Sequence, residues 1–352
     1  MRAVRYYGKE DVRLEEVPAP ELLPGTVRIT PAFTGICGSD LHLYFEGPIP
    51  PAPADSPHPI SGEQLPVVFG HEFSGTITEV GEGVEGLAVG DNVVVEPLMV
   101  CGQCPPCNAN RYNLCEKMGF IGISGRGGGL AEQVVTEQRF VHPIGDLPLD
   151  QGALIEPLAV GMHAVKHAGV VDGGTAVIGG AGPIGLLTAA ILKARGMRVV
   201  MSEVSAARKD IARSTGVADL VVDPSEQDLP AVVREFTDGV GADVAFDAAG
   251  IKPVVDALLA SLRPGGRLEV VAIHVSPVEL DLTGQLIMGD KVIGGSIGYA
   301  NDHVEAIELA RSGAVDLSKF ITRKISVDDI VEDGYKRLRD HGETEVKILV
   351  HM

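Results

Sequence analysis

The sequence predicts an α/β protein of two domains, one β-rich and one built on a doubly wound parallel sheet. Three observations lead there. The chain has 352 residues, too many for one comfortable core. Residues 1–150 read as short period-two runs broken by Gly and Pro. From about residue 154, strand-like and helix-like segments alternate.

The β-type runs of the first part include "VRIT", "GTITEVG", "GDNVVVEP" and "AEQVVT". Between Pro48 and Pro66 lie seven prolines, which predict an extended loop because Pro supplies no donor to a sheet. In the second part, "TAVIGGAGPIGLLTAAILKARG" reads as strand, glycine turn and helix. "MRVVMSEV", "ADLVVD", "ADVAFDAAG", "GRLEVVAI" and "KVIGGSI" supply further strands, with helices at "SAARKDIARSTG" and at about 226–237 and 253–261. Beyond residue 300 two helices are predicted, "DHVEAIELARSG" and "VDDIVEDGYKRLRD", followed by the strand "EVKILVHM". That strand fits a return to the β-rich domain better than an extension of the parallel sheet.

Composition excludes several functions. Hydrophobic residues make up 45% and charged residues 22%, ordinary for a globular chain, and the 44 glycines point to turns and close approaches. The formal net charge of −19 disfavours nucleic acid and anionic membrane surfaces. The longest uncharged run, Gly173–Leu192, is interrupted by six glycines and Pro183, so no membrane span is predicted. The start "MRAVRYYGKEDVRLEE" has no apolar signal core, and the expected location is cytoplasmic, where structural disulfides are rare.

Four of the five cysteines, Cys101, Cys104, Cys107 and Cys115, share fifteen residues at spacings C-x2-C-x2-C-x7-C. Such spacing wraps one tetrahedral ion. Zn²⁺ suits four thiolates, and a site with no open position is structural. An iron–sulfur cluster is the competing reading, and four unliganded thiols the third.

Gly180, Gly182 and Gly185, with Pro183 and Ile184 between them, form G-x-G-x-x-G after a predicted strand and at the start of a helix. The first glycine permits the turn, the second lets backbone approach a pyrophosphate, and the third lets helix pack on strand. Exposed N–H groups and the helix dipole then hold phosphate. Glu203 follows 18 residues after Gly185, where a carboxylate binds both ribose hydroxyls of NAD and repels a 2′-phosphate. Arg208, five residues on, is the one feature that suits NADP. Cys37, His71, Glu72 and Glu156 are further potential zinc ligands, and three ligands with an open position make a catalytic site.

With "GICGSDLH", "GHEFSG", the cysteine loop and "GGAGPIGLL" in this order, the whole chain resembles the zinc-dependent medium-chain dehydrogenases, the alcohol dehydrogenase-like family. The resemblance implies a GroES-like catalytic domain over 1–153 carrying the structural zinc lobe, a Rossmann NAD-binding domain over 154–297, and a C-terminal return to the catalytic domain over 298–352. It implies two zinc ions per subunit, one in the four-cysteine loop and one on Cys37, His71 and Glu156. In this family Glu72 matches a carboxylate that binds or exchanges onto the metal in some members. Alcohol dehydrogenases proper have Cys at the position of Glu156. Its replacement, with the proline-rich insertion, "PHPISG" and "CEKMGFIGISG", is most similar to the branch acting on (R,R)-2,3-butanediol and acetoin or diacetyl.

The resemblance also implies the reaction. A zinc-polarised secondary alcohol gives hydride to NAD, and its proton leaves through Ser39, the cofactor ribose and His42 to water. Alternative substrates are sorbitol or another polyol and L-threonine. From another class, the alternative is a non-catalytic nucleotide-binding protein. The expected partner is a neutral small molecule, and the expected assembly a homodimer or homotetramer. His58, His163 and His167 read as structural or solvated.

Overall fold

The computed structural model describes residues 1–352. The chain folds as two compact units, Met1–Glu156 with His303–Met352, and Pro157–Asp302. The helix Ile155–His167 carries the chain from one to the other.

The first unit is β-rich. Its main sheet runs in the order Val141–Pro143, Asn92–Val95, Glu72–Val80, Thr26–Gly35, Lys347–His351 and Ile321–Ser326, with Val134–Glu137 also paired to Thr26–Gly35. The C-terminal strand Lys347–His351 is antiparallel to Thr26–Gly35 and parallel to Ile321–Ser326. Alternating apolar residues put Val27, Ile29, Phe73, Ile77, Val93, Val95 and Val134 into one core. A second core gathers Tyr6, Phe69, Leu43, Tyr44 and Tyr335 around the helix Gly38–Glu46. Residues 47–66 form no strand or helix, as seven prolines require. The helix predicted over 327–340 is only partly regular. A wide turn over Ile330–Lys336 precedes an α-helix restricted to Arg337–His341. Gly334 sits inside that wide turn, and glycine is a poor helix former.

The second unit carries six parallel strands in the order Leu220–Val222, Arg198–Ser202, Thr175–Gly179, Ala242–Asp247, Leu262–Val270 and Val292–Gly295. Numbered along the chain this is 3-2-1-4-5-6, the doubly wound order whose crevice lies at the carboxyl ends of the strands. Val177, Val200, Val222, Ala245 and Leu268 fill the core from the sheet, and Leu229, Val233, Leu258 and Leu259 from the helices Leu229–Phe236 and Lys252–Ser261. No helix is long and apolar enough to cross a membrane.

Candidate functional site

Three constellations carry ligand chemistry: two in the first unit and one in the second. The first is built on the N-terminus of the helix Gly38–Glu46. Cys37 is its N-cap, and Asp40 at the third helical position accepts the Cys37 N–H at 2.9 Å. His71 and Glu72 arrive at the start of the strand Glu72–Val80, where Glu72 pairs with Gly35. A Cβ at Gly35 would lie 2.2 Å from Glu72 Oε2, so only glycine admits this carboxylate.

One donor atom each from Cys37, His71 and Glu72 lies within 4.8 Å of the other two. His71 Nε2 is 3.3 Å from Ser39 Oγ, and His71 Nδ1 faces Asp40 Oδ1 at 3.4 Å. Burial disfavours a proton on His71, but the nearby charge of Asp40 outweighs it and holds the imidazole well above its ordinary value. A thiol, an imidazole and a carboxylate in mutual reach fit one zinc ion with a position left open. The Asp40–His71 contact is the outer-layer partner such a ligand histidine uses.

The family resemblance implies Glu156 as the third ligand beside Cys37 and His71, with Glu72 as a carboxylate that binds or exchanges onto the metal. The structure groups Cys37 and His71 with Glu72, and Glu156 is not one of the three. Glu156 is the second residue of the helix Ile155–His167, and it is buried. Its charge adds to the field on Lys347.

Lys347, in the C-terminal strand, was not foreseen. Its Nζ donates to Glu72 Oε1 at 2.8 Å, Glu72 Oε2 at 2.6 Å and the Ile36 carbonyl at 3.1 Å. Lys347 and Glu72 are 2% and 1% exposed. Burial opposes the lysine charge, yet Glu72 and Cys37 raise its pKa above the usual 10.5. The sequence signal was a single cation inside the apolar strand "EVKILV", and Asp40 was signalled by a capping-type carboxylate three residues after Cys37. His42 lies on the same helix as Ser39, is 39% exposed, and faces Glu46 at 3.2 Å.

The second constellation is the cysteine loop. Its four thiols are all free of disulfides and mutually within 4.8 Å. Cys104 and Cys107 sulfurs stand 3.4 Å apart and Cys101 and Cys107 sulfurs 4.0 Å, bracketing the ~3.8 Å edge of a tetrahedral zinc–thiolate site. Main-chain N–H groups of Cys101, Cys104 and Lys117 donate to sulfur at 3.3–3.4 Å. The donor set fits structural zinc.

The third constellation lies in the second unit. The strand Thr175–Gly179 ends at Gly180, and the helix Pro183–Ala194 starts after its N-cap Gly182 with Pro183 and Ile184 in its first turn. A Cβ at Gly185 would sit 2.0 Å from the Gly180 carbonyl, so the turn closes only on glycine. Glu203, after the strand Arg198–Ser202, accepts the Ala181 N–H at 2.8 Å and the Val204 and Ser205 N–H groups at 2.9 Å. The carboxylate is thus fixed against the glycine turn. Arg208 donates its main-chain N–H to the Ser205 cap of the next helix. His58, His163 and His167 belong to none of the three groups. His58 is buried beside the Met118 carbonyl, and the other two pair with Asp302 and Glu269.

Comparison with known proteins gives consistent matches. Residues 23–146 match the alcohol dehydrogenase GroES-like domain, and residues 183–312 match the zinc-binding dehydrogenase domain. An (R,R)-butanediol dehydrogenase of Neisseria gonorrhoeae is 47% identical over 352 residues, covering 100% of this chain and 99% of that protein. The crystal structure of 2R,3R-butanediol dehydrogenase from Bacillus subtilis superposes with a TM-score of 0.93 at 38% identity, covering 100% of this chain and 99% of that one. Two solved relatives at 26% and 30% identity, with TM-scores of 0.88 and 0.86 and full coverage of this chain, hold NADH and NADP respectively; they come from E. coli CFT073 and Sinorhizobium meliloti 1021.

Proposed function

The chain belongs to the zinc-binding, GroES-like alcohol dehydrogenase family, and from that premise we propose that it interconverts (R,R)-2,3-butanediol and acetoin with NAD as hydride carrier. The observation that carries this reading is the Cys37–His71–Glu72 donor set, its histidine and carboxylate buried, in a chain similar along its whole length to butanediol dehydrogenases. When bound there, zinc supplies the Lewis acidity that favours an ionised alcohol, and a bound nicotinamide accepts the hydride.

The chain's own residues do the rest. Asp40 orients His71 through Nδ1 and leaves Nε2 for the open side of the site. Ser39 Oγ, beside that nitrogen, takes the proton of the substrate hydroxyl. His42, three residues along the same helix and open to water, passes it to solvent. Relays of this kind contribute roughly 10²–10⁴-fold. Lys347 holds the Glu72 carboxylate in place and balances one negative charge. Glu156 is the alternative carboxylate ligand. At the glycine turn, the N–H groups of the helix Pro183–Ala194 suit a pyrophosphate. Glu203 favours NAD over NADP, because a fixed carboxylate repels a 2′-phosphate. Two zinc ions per subunit complete the reading.

The proposal extends to a cytoplasmic homodimer or homotetramer. The edge strand Val292–Gly295 has one sheet neighbour, and Val275, Ile287, Met288, Val292 and Ile297 around it are exposed. An apolar sheet edge of this kind is normally covered.

The test is NADH oxidation by the zinc-loaded enzyme with acetoin, fructose and 2-amino-3-ketobutyrate. The expected result is a kcat/KM for acetoin at least about tenfold above the others, on the scale pocket contacts deliver. A preference for fructose would move the enzyme to the polyol branch. Inertness toward all three ketones would leave a nucleotide-binding protein.

A further inference from the structure

A fourth cluster stands apart from those already described. Glu96 follows the strand Asn92–Val95, His142 sits in the adjacent strand Val141–Pro143, and His303 opens the helix His303–Arg311. All three belong to the first unit. One donor atom from each lies within 4.8 Å of the other two. Glu96 is 1% and His303 0% exposed, while His142 stands at the solvent edge. The Glu96 main-chain N–H donates to the Phe140 carbonyl at 2.8 Å, which pins its backbone to the neighbouring chain segment.

Distances separate this cluster from an ordinary ion-pair knot. His142 Nε2 is 3.3 Å, and His303 Nδ1 3.6 Å, from the same oxygen, Glu96 Oε2. Elsewhere His71–Asp40, beside the Cys37 donor set, stands at 3.4 Å and the exposed His42–Glu46 at 3.2 Å, whereas three pairs are shorter: His163–Asp302 at 2.8 Å, His167–Glu269 at 2.7 Å and His274–Asp247 at 2.7 Å. Those lengths are normal for charge-assisted hydrogen bonds. By contrast, a tetrahedral zinc site with bonds of about 2.0–2.2 Å to nitrogen and oxygen sets its ligand atoms about 3.3–3.6 Å apart. The two imidazoles lie within 16° of parallel, 5.4 Å between centres, and turn an edge nitrogen toward one point. Glu96 Oε1 is buried and has no hydrogen-bond partner. A buried carboxylate oxygen without a donor is costly, and a cation removes that cost.

We propose that Glu96, His142 and His303 form a further divalent-metal site, one that takes Zn²⁺ or a similar borderline ion such as Co²⁺. Two imidazoles and one carboxylate suit that class. His142 at the surface provides the entry path, and a water completes the coordination. The ion ties two strands of the sheet to the first turn of the helix where the chain re-enters the β-rich unit, so its role is structural.

The experiment counts metal and locates it. Full-length wild-type protein and His142→Gln are equilibrated with excess Zn²⁺, desalted and analysed by mass spectrometry. Wild-type crystals soaked in Co²⁺ are measured at the cobalt edge. The expected result is one metal ion fewer per chain in the variant, and an anomalous peak bounded by Glu96, His142 and His303. Equal metal content in the two proteins, or crystals with no peak at the cluster, overturns the site and leaves a hydrogen-bonded histidine–carboxylate knot. Should His142→Gln not fold, the wild-type crystals decide alone.

Discussion

The four thiols between Cys101 and Cys115 come from one stretch of fifteen residues, whereas Cys37 and His71 are separated by 34 residues. The two sites differ as much in what supports them. The loop satisfies its sulfurs with its own main-chain N–H groups, those of Cys101, Cys104 and Lys117. The Cys37 centre is held by side chains from other elements: Asp40 on a helix behind His71, and Lys347 on the last strand behind Glu72. A self-contained loop can serve stability without knowing the rest of the fold. A centre assembled across the sheet exists only when the fold is complete, and its support can tune reactivity.

That contrast breaks most visibly when a ligand is removed from each site. Cys37→Ala is expected to lower kcat/KM by at least about 10³-fold, the scale of losing a preorganised electrostatic contact, with little change in Tm. Cys104→Ser is expected to do the reverse. It should lower Tm by roughly 5 °C or more, given about 2–4 °C per kcal/mol at this domain size, while the folded fraction stays active. Parallel kinetics and thermal melts decide. Equal loss of activity per folded molecule in both variants would erase the distinction between the sites.

Lys347 tests whether the centre's support is electrostatic. Lys347→Met leaves the Glu72 carboxylate buried without its cation, which is expected to cost about 3–5 kcal/mol in metal-free protein. Adding Glu72→Leu should recover most of that loss. Urea unfolding of the two variants and wild type measures it. A single-variant cost near 0.5 kcal/mol, typical of about any surface change, would mean that the pair is not what holds the carboxylate.

The loop should answer to pH through its own thiols. Main-chain N–H groups of Gln103 and Cys104 bring the Cys101 thiol down to about 6. Burial pushes Cys107 up to about 12 and raises Cys115 as well. Near neutrality Cys101 is therefore a thiolate, while Cys107 and Cys115 hold protons that a metal must displace. Zinc affinity of the loop is expected to rise by at least about 100-fold per pH unit from 6 to 8, since at least the protons of Cys107 and Cys115 leave when the ion binds. Below pH 6 the dependence should steepen as Cys101 takes up its proton. Chelator competition across that range would show it, and a flat profile would contradict the assignment.

What the sequence made legible follows the same divide. The loop was readable because its ligands share one local spacing, and the glycine turn because strand, turn, helix and Glu203 follow each other within 30 residues. The approach of Glu72 to Cys37 and His71 was not readable. It depends on Gly35 leaving room for a carboxylate and on Lys347 arriving from a strand 275 residues away to hold it. The partly regular segment 327–340 likewise kept its helical period in sequence, while Gly334 sat inside the segment that departs from it. Long-range pairing is what pattern reading does not contain.

Asp40 gives the finest test of that outer layer, because it acts on His71 in two opposed ways. Its carboxylate makes the imidazole a better ligand, and by the same field a better base. Asp40→Asn keeps an oxygen for the Cys37 N–H but removes the charge. At high pH, where proton competition is weakest, the variant is expected to bind zinc at the Cys37 centre about tenfold more weakly. As pH falls, wild-type His71 takes up a proton that must be expelled on binding, whereas the variant imidazole stays neutral to lower pH. The gap between the two proteins should therefore narrow toward pH 6, while the loop's affinity stays the same in both. Competition with a chromogenic chelator at pH 9 and pH 6 reads the two gaps. A gap that is constant with pH would mean that Asp40 positions His71 without tuning its charge.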